Sequence, residues 1–207
     1  MYRGERFNSI THLIGALFGV TALSLLVFLA YQKGDVWKII SFSIYGTTLF
    51  LLYLFSTLYH SLRGKAKNIF RKIDYVAIYF FIAGTYTPFT LISLRNNQWG
   101  WILFGLIWGL AAIGILIEVI KKPGKLTILP VFIYLGMGWL IMLAINPLME
   151  VLSSKGFILL ASGGVLYTVG VLFFSLDKKL QHAHGIWHLF VLGGSICHFV
   201  CLLLYVL

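Results

Sequence analysis

Two histidines, His184 and His188, stand four positions apart where the last apolar stretch of the chain begins. An α-helix turns every 3.6 residues, so both imidazoles leave one face, about 6 Å apart along the axis. That spacing suits a single metal ion. Ionisable side chains entering a membrane segment are costly and are functional candidates by default, although two amphipathic side chains can also simply anchor a helix at the interface. A second pair, Ser56 and His60, has the same spacing and shares a helix face in the same way. Taken alone, Ser56 reads as a hydroxyl bonded to its own backbone and His60 as a satisfied polar residue. What these pairs can do depends on whether the elements carrying them meet.

Composition puts those elements in lipid. The 207-residue chain is 60% apolar and 11% charged, whereas soluble domains carry about 25% charged residues. Its mean hydropathy is +0.94. Seven apolar stretches run roughly over 13–31, 37–60, 75–94, 98–120, 126–145, 156–176 and 184–206. Each is long enough to span about 30 Å of hydrocarbon as a helix. The expected fold is an all-α integral membrane protein, one seven-helix transmembrane bundle over 1–207 with no soluble domain. Twelve of the 16 Lys and Arg residues fall in the N-terminus and the second, fourth and sixth loops. The positive-inside rule then places the N-terminus in the cytoplasm and the C-terminus outside, in a multi-pass protein of the cell membrane.

The net charge of +10 is accordingly a topology signal and not a nucleic-acid footprint. The run Arg63, Lys65, Lys67, Arg71 and Lys72 serves orientation first and can also touch anionic headgroups. The first apolar stretch is too long for a cleavable signal peptide, and no small-residue cleavage site follows it. Cys197 and Cys201, four apart on one helix, are poorly placed for a disulfide and read as packing residues. No internal repeat is visible. The longest polar connection is 61–74, a candidate interfacial helix. Gly105 and Gly109, Gly136 and Gly138, and Gly163 and Gly164 are small residues expected to pack helices within the bundle, with dimerisation through Gly105 and Gly109 as the alternative. Pro88 and Pro130 are expected to break hydrogen bonding locally. Trp37, Trp99 and Trp101 fall near helix ends as interface anchors.

Orientation brings the chemistry to one depth. The second segment ends at the cytoplasmic face with Ser56 and His60, and the third begins there with Asp74. The seventh begins there with His184 and His188, and the first with Glu5, Asn8 and His12. Three neutral imidazoles from two helices are the ligand set of an open zinc site, whose fourth position is left for water. No thiolate lies at that depth, which favours Zn²⁺ over copper or iron. Asp74 would orient or deprotonate the water; without a metal it is an interfacial carboxylate paired with Arg71 or Lys72. His198 lies about 15 Å deeper than His188 and belongs to the bundle interior. His182 reads as a loop residue, and Glu118 as a partner of Lys121 or Lys122.

These motifs resemble those of the bacterial haemolysin III family, which groups with the progestin and adipoQ receptors, among them the adiponectin receptors. The carriers are Glu5-Arg-Phe-Asn8-Ser-Ile-Thr11-His12, Ser56-Thr-Leu-Tyr-His60, Lys72-Ile-Asp74-Tyr75, Ala83-Gly-Thr-Tyr-Thr-Pro88-Phe and His184-Gly-Ile-Trp-His188 followed by His198. The likeness covers essentially the whole chain. It implies a seven-helix bundle with a cytoplasmic N-terminus and a zinc ion held by His60, His184 and His188, with a water bridging to Asp74. It also implies a catalytic part for Ser56. The wider superfamily includes hydrolases of lipid amides, and the haemolysin label implies lysis or pore formation. The chain lacks the receptors' long N-terminal domain, which argues against hormone binding.

Three functions follow as expectations. A zinc-dependent intramembrane hydrolase of lipid amides or esters would use Asp74 as base and Ser56 as a donor to the developing oxyanion. A non-enzymatic sensor or regulator of membrane state would use zinc to clamp helices two, three and seven. A pore needs polar residues through the depth of the membrane, and here the outer halves of the helices read as almost wholly apolar. The expected partners are membrane lipids, with a lipid or fatty acid inside the bundle and no nucleic acid.

Overall fold

After its second long helix the chain turns back within three residues. Leu62 and Arg63 are extended, and Gly64 takes a left-handed φ of +61° that other residues rarely adopt. The next helix therefore starts at Gly64. This emerges from a computed structural model that describes residues 1, 4–121, 129–177 and 179–207. Among them are seven helices long and apolar enough to cross a membrane: α1 Arg6–Gln32, α2 Val36–Ser61, α3 Gly64–Ser93, α4 Gln98–Ile120, α5 Leu129–Val151, α6 Ser154–Ser175 and α7 Ala183–Val206. Side-chain caps begin several of them. Asp35 accepts from the Trp37 and Lys38 amides, Asn97 from Trp99, and Ser153 from Gly156.

The expected polar connection over 61–74 is thus not a loop. Nearly all of it is the first three turns of α3, a charged extension that continues unbroken into the membrane segment. Two prolines act differently from each other. Pro88 is followed by a π-helical turn, Phe89–Ser93, within α3. Pro130, expected to break the fifth helix, stands second in its described part. The break comes later. α5 runs as an α-helix over Leu129–Trp139, tightens to a 3-10 turn over Leu140–Ala144 and resumes over Ile145–Val151. Tyr86 pins it: its hydroxyl donates to the carbonyls of Met137 and Gly138, both at 2.8 Å, and accepts from the Ile141 amide at 3.0 Å. The start of the expected segment 126–145 and the residue Lys122 lie outside the described residues.

Burial ranks the helices. In α3, 67% of the membrane window is buried, against 17% in α5 and 11% in α6. α3 is the central element, and Asp74 is on it. The main core joins α1, α2, α3 and α7 through Leu26, Phe42, Tyr45, Leu49, Tyr53, Phe81 and Leu202, all buried, and reaches α4 at Leu103 and α5 at Leu148. The glycines expected to pack the bundle divide. Gly163 lies against the His198 ring, but Gly105, Gly109, Gly136, Gly138 and Gly164 face open space. For Gly105 and Gly109 this corrects the expectation of bundle packing: the pair is exposed on the outer surface of α4. Trp37 and Trp99 occupy second positions of helices α2 and α4, and Trp37 packs edge-on to Trp101 at 5.8 Å.

Removing the pin on α5 tests the role given to Tyr86. Tyr86→Phe leaves three backbone groups without their partner and should cost about 1–2 kcal/mol. Thermal unfolding in detergent reads this directly, and an unchanged midpoint would show that the hydroxyl does not hold the break.

Candidate metal centre

His60 closes α2, and His184 and His188 open α7, at the end that charge asymmetry assigns to the cytoplasm. The three rings lie together. Centroid separations are 4.9 Å for His60 and His184, 5.0 Å for His60 and His188, and 4.7 Å for His184 and His188. One nitrogen from each lies within 4.8 Å of the others, a grouping that can hold a metal ion. The two pairs seen in the sequence do converge.

The ring nitrogens are divided between two tasks. His60 Nδ1–H donates to Glu5 Oε2 at 2.6 Å. His184 Nδ1–H donates to Asp177 Oδ2 at 3.1 Å, and His188 Nδ1–H to the Asn8 carbonyl at 3.2 Å, with Thr11 Oγ1 at 3.3 Å. Carboxylates and carbonyls only accept, so in the neutral rings the proton sits on Nδ1 and the lone pair on Nε2. All three Nε2 atoms are buried and have no hydrogen-bond partner among the described residues. Metal-binding histidines characteristically donate the other ring N–H to a carboxylate or carbonyl, which fixes tautomer and orientation. The three residues present fit a metal on that observation.

Local sequence explains how these acceptors arrive. Among the described residues Glu5 is held by His60, by Lys67 Nζ at 2.6 Å, and by Asn8 Nδ2, which donates to it at 2.9 Å. Lys67 comes from the extension of α3 beyond the hydrocarbon. Burial pushes the Glu5 carboxyl up, but the hydrogen bonds from His60, Lys67 and Asn8 outweigh it and hold the group well below the usual carboxylate range. The hydrogen bond from His184 likewise lowers the Asp177 carboxyl against a smaller effect of burial. Gly185 lets the N-terminal turn approach α7: a Cβ there would meet the Phe7 ring, and Asn8 Oδ1 at 2.9 Å.

Asp74 is buried on α3 with the buried Ser56 hydroxyl beside it, and stands next to the imidazole group instead of within it. Among the described residues it pairs with neither Arg71 nor Lys72; Lys72 Nζ donates to the Val119 carbonyl. The pairing expected for a metal-free carboxylate is thus absent, because Asp74 faces inward and the lysine outward. His12 stacks on His188, with centroids 3.5 Å apart and planes 16° apart. His198 lies apart, as expected, and donates through Nε2 to the Leu160 carbonyl at 3.2 Å. His182 is in the connection before α7, with a left-handed φ of +65°. Glu118 pairs with Lys121 at 3.8 Å.

A cavity of about 200 Å³ runs outward from this site between α3, α5, α6 and α7. His12, Asp74 and Trp187 line its inner end, and Phe89, Leu148 and Phe157 its outer end. From Asp74 to Phe89 the depth is about 20 Å of helix rise. Its wall is largely apolar. Trp139 and Met142 line it and are also 43% and 51% exposed, so the cavity reaches the lipid-facing surface between α5 and α6. There Trp139 Nε1 donates to Thr168 Oγ1 at 3.1 Å. The midsection of the bundle is more polar than hydropathy indicates, because Ser195 Oγ bonds both Tyr53 at 2.7 Å and Tyr167 at 3.0 Å.

The sequence places Glu5 and Asn8 at the right depth without a role, carries Thr11 only as a motif residue, and leaves Asp177 unmarked. Asp177 is the one acid of the sixth loop, seven residues before His184, and that proximity was the available signal.

The comparisons with known proteins agree with this architecture. The model of the family described as haemolysin-III related matches residues 1–199. Over 206 residues the chain is 49% identical to Hemolysin-3 of Bacillus cereus, covering 98% of this chain and 92% of that one. It is 46% identical over 202 residues to the Hemolysin-3 homolog of Bacillus subtilis (strain 168), covering 97% and 93%. Over 176 residues it is 34% identical to the human monocyte to macrophage differentiation factor, covering 80% and 70%.

The division of nitrogens makes the acceptors measurable. Glu5→Gln and Asp177→Asn should each weaken metal binding by roughly 10–100-fold, and His60→Ala should weaken it further. Chelator competition on purified protein gives the constants; wild-type affinity in both acid variants would refute the tuning role.

Proposed function

Because the chain belongs to the haemolysin-III-related family, we propose a specific activity for this centre: zinc-dependent intramembrane hydrolysis of the acyl bond of a membrane lipid, an amide or an ester, in the service of membrane lipid homeostasis. One observation carries the reading. Three imidazoles, each with Nδ1 pinned by an acceptor and Nε2 buried without a partner among the described residues, stand beside His12 and Asp74, which line the inner end of an apolar cavity. Neutral imidazoles from His60, His184 and His188 are a donor set for an open zinc site.

When bound, zinc supplies Lewis acidity there, polarising a carbonyl and bringing the pKa of a water to about 7. The protein's own groups do the rest. Asp74, beside the ligand group and out of contact with Arg71 and Lys72, takes a proton from the attacking water. It returns that proton to the leaving amine or alcohol as the acyl C–N or C–O bond breaks and the new C–O bond of the fatty acid forms. The Ser56 hydroxyl holds the Asp74 carboxyl in place. The cavity lays the acyl chain along α3, with its mouth between α5 and α6 open to lipid.

A structural metal is the competing reading, and the position of Glu5 favours it in one respect. Through Glu5, the metal group links the start of α1, the end of α2 and Lys67 on α3. The two readings separate in one experiment. Purified protein should contain zinc and turn over acyl lipids, and both a chelator and His188→Ala should abolish turnover. Asp74→Asn should keep zinc and thermal stability while losing at least about a hundredfold in rate. Full turnover by zinc-free protein would sink hydrolysis at this centre; a lowered unfolding temperature on zinc removal, with no lipid consumed by the loaded protein, would establish the structural reading.

A further inference from the structure

A fourth imidazole beside the metal group has no part in the chemistry above. His12, on α1, is 3% exposed, and among the described residues neither Nδ1 nor Nε2 has a hydrogen-bond partner. Leaving a buried polar atom unpaired is costly, and here one ring leaves two. The ring is not loose. It stacks on His188, and it meets Tyr53 edge-on at 5.0 Å. The polar groups of the two rings it touches are committed elsewhere: the Tyr53 hydroxyl to Ser195, His188 Nδ1 to Asn8, and His188 Nε2 to the metal group. The His12 side chain also lines the inner end of the cavity, beside Asp74 and Trp187.

A neutral imidazole carries one N–H and one lone pair. What satisfies His12 must therefore offer both an acceptor and a donor, and must reach it through the apolar cavity. We propose that His12 is a head-group binding site for a neutral acyl amphiphile, recognised by a hydroxyl or N–H hydrogen that the His12 lone pair accepts. The proposal rests on reading the cavity as a lipid site but not on hydrolysis. An amphiphile whose head has only acceptors satisfies the N–H and leaves the lone pair stranded. A site built to bond a hydroxyl or N–H discriminates strongly against the analogue lacking it.

The test uses a long-chain fatty alcohol and its methyl ether, which share a chain and differ in one O–H. Binding to the full-length zinc-loaded protein is measured by displacement of a fluorescent fatty acid. Wild type should bind the alcohol at least about tenfold more tightly than the ether. His12→Phe, which keeps the stack on His188, should reduce that ratio to near one without changing zinc content. His12→Gln, which retains a donor and an acceptor, should keep a preference for the alcohol; it also decides the matter, together with wild type, if the phenylalanine variant does not fold. Equal affinities in wild type, or no binding of either probe, would overturn the proposal. So would a preference that persists in His12→Phe, which would assign the hydroxyl to the metal centre. Neither probe has a hydrolysable bond, so an inactive centre leaves this readout intact, and lipid turnover without discrimination would remove His12 alone.

Discussion

An imidazole inside a membrane protein leaves its N–H unsatisfied only at a cost, and for His60, His184 and His188 that constraint organises the inner end of this bundle. Three histidines converge, and each needs an acceptor for Nδ1 before its Nε2 is free for anything else. No single helix supplies the acceptors. Glu5 and the Asn8 carbonyl come from the first turn of α1, and Asp177 from the connection between α6 and α7. The chain's beginning must therefore fold against its last helix, which is why position 185 carries no side chain. The charged extension of α3 completes the arrangement, since Lys67 neutralises the carboxylate that His60 requires.

The helices divide this labour. Those that hold the polar groups, α1, α2, α3 and α7, share the continuous core, and α3 is the most buried of all. Those that wall the cavity, α5 and α6, are the least buried and bury few of their own residues. Elements with few buried contacts open at lower cost than the core does. A rigid polar centre thus sits beside a compliant apolar chamber, and the break in α5, pinned by Tyr86, lies on the compliant side.

Much of this was legible in the sequence, and the parts that were not share a cause. Four-residue spacing showed that His184 and His188 share a face, and charge asymmetry showed that His60 and Asp74 reach the same depth. Those are properties of single helices and of the whole chain, which sequence carries well. Hydropathy, however, marks where lipid begins and not where a helix begins, so 61–74 read as a connection although Gly64 starts α3 there. Likewise Gly105 and Gly109 announce a smooth helix face without saying which neighbour it meets, and here it faces outward. The roles of Asp177 and Thr11 stayed silent because their partners are fixed by how a loop and a first turn fall on α7, a matter of tertiary geometry. His12 was visible as a polar residue at the right depth, but its stacking on His188 was not.

The bond from His188 to the Asn8 carbonyl joins residues 180 positions apart in the chain. α1 is made first and α7 last. At typical synthesis rates of about 5–20 residues per second, the inner end of α1 waits roughly 10–40 s, and that of α2 roughly 7–30 s, for the helix that completes them. During that interval Glu5, Asn8 and His60 are present without His184 and His188, and the three-imidazole group does not exist. A nascent chain arrested before α7 therefore lacks the three-imidazole group that could hold a metal, however well its first six helices have inserted.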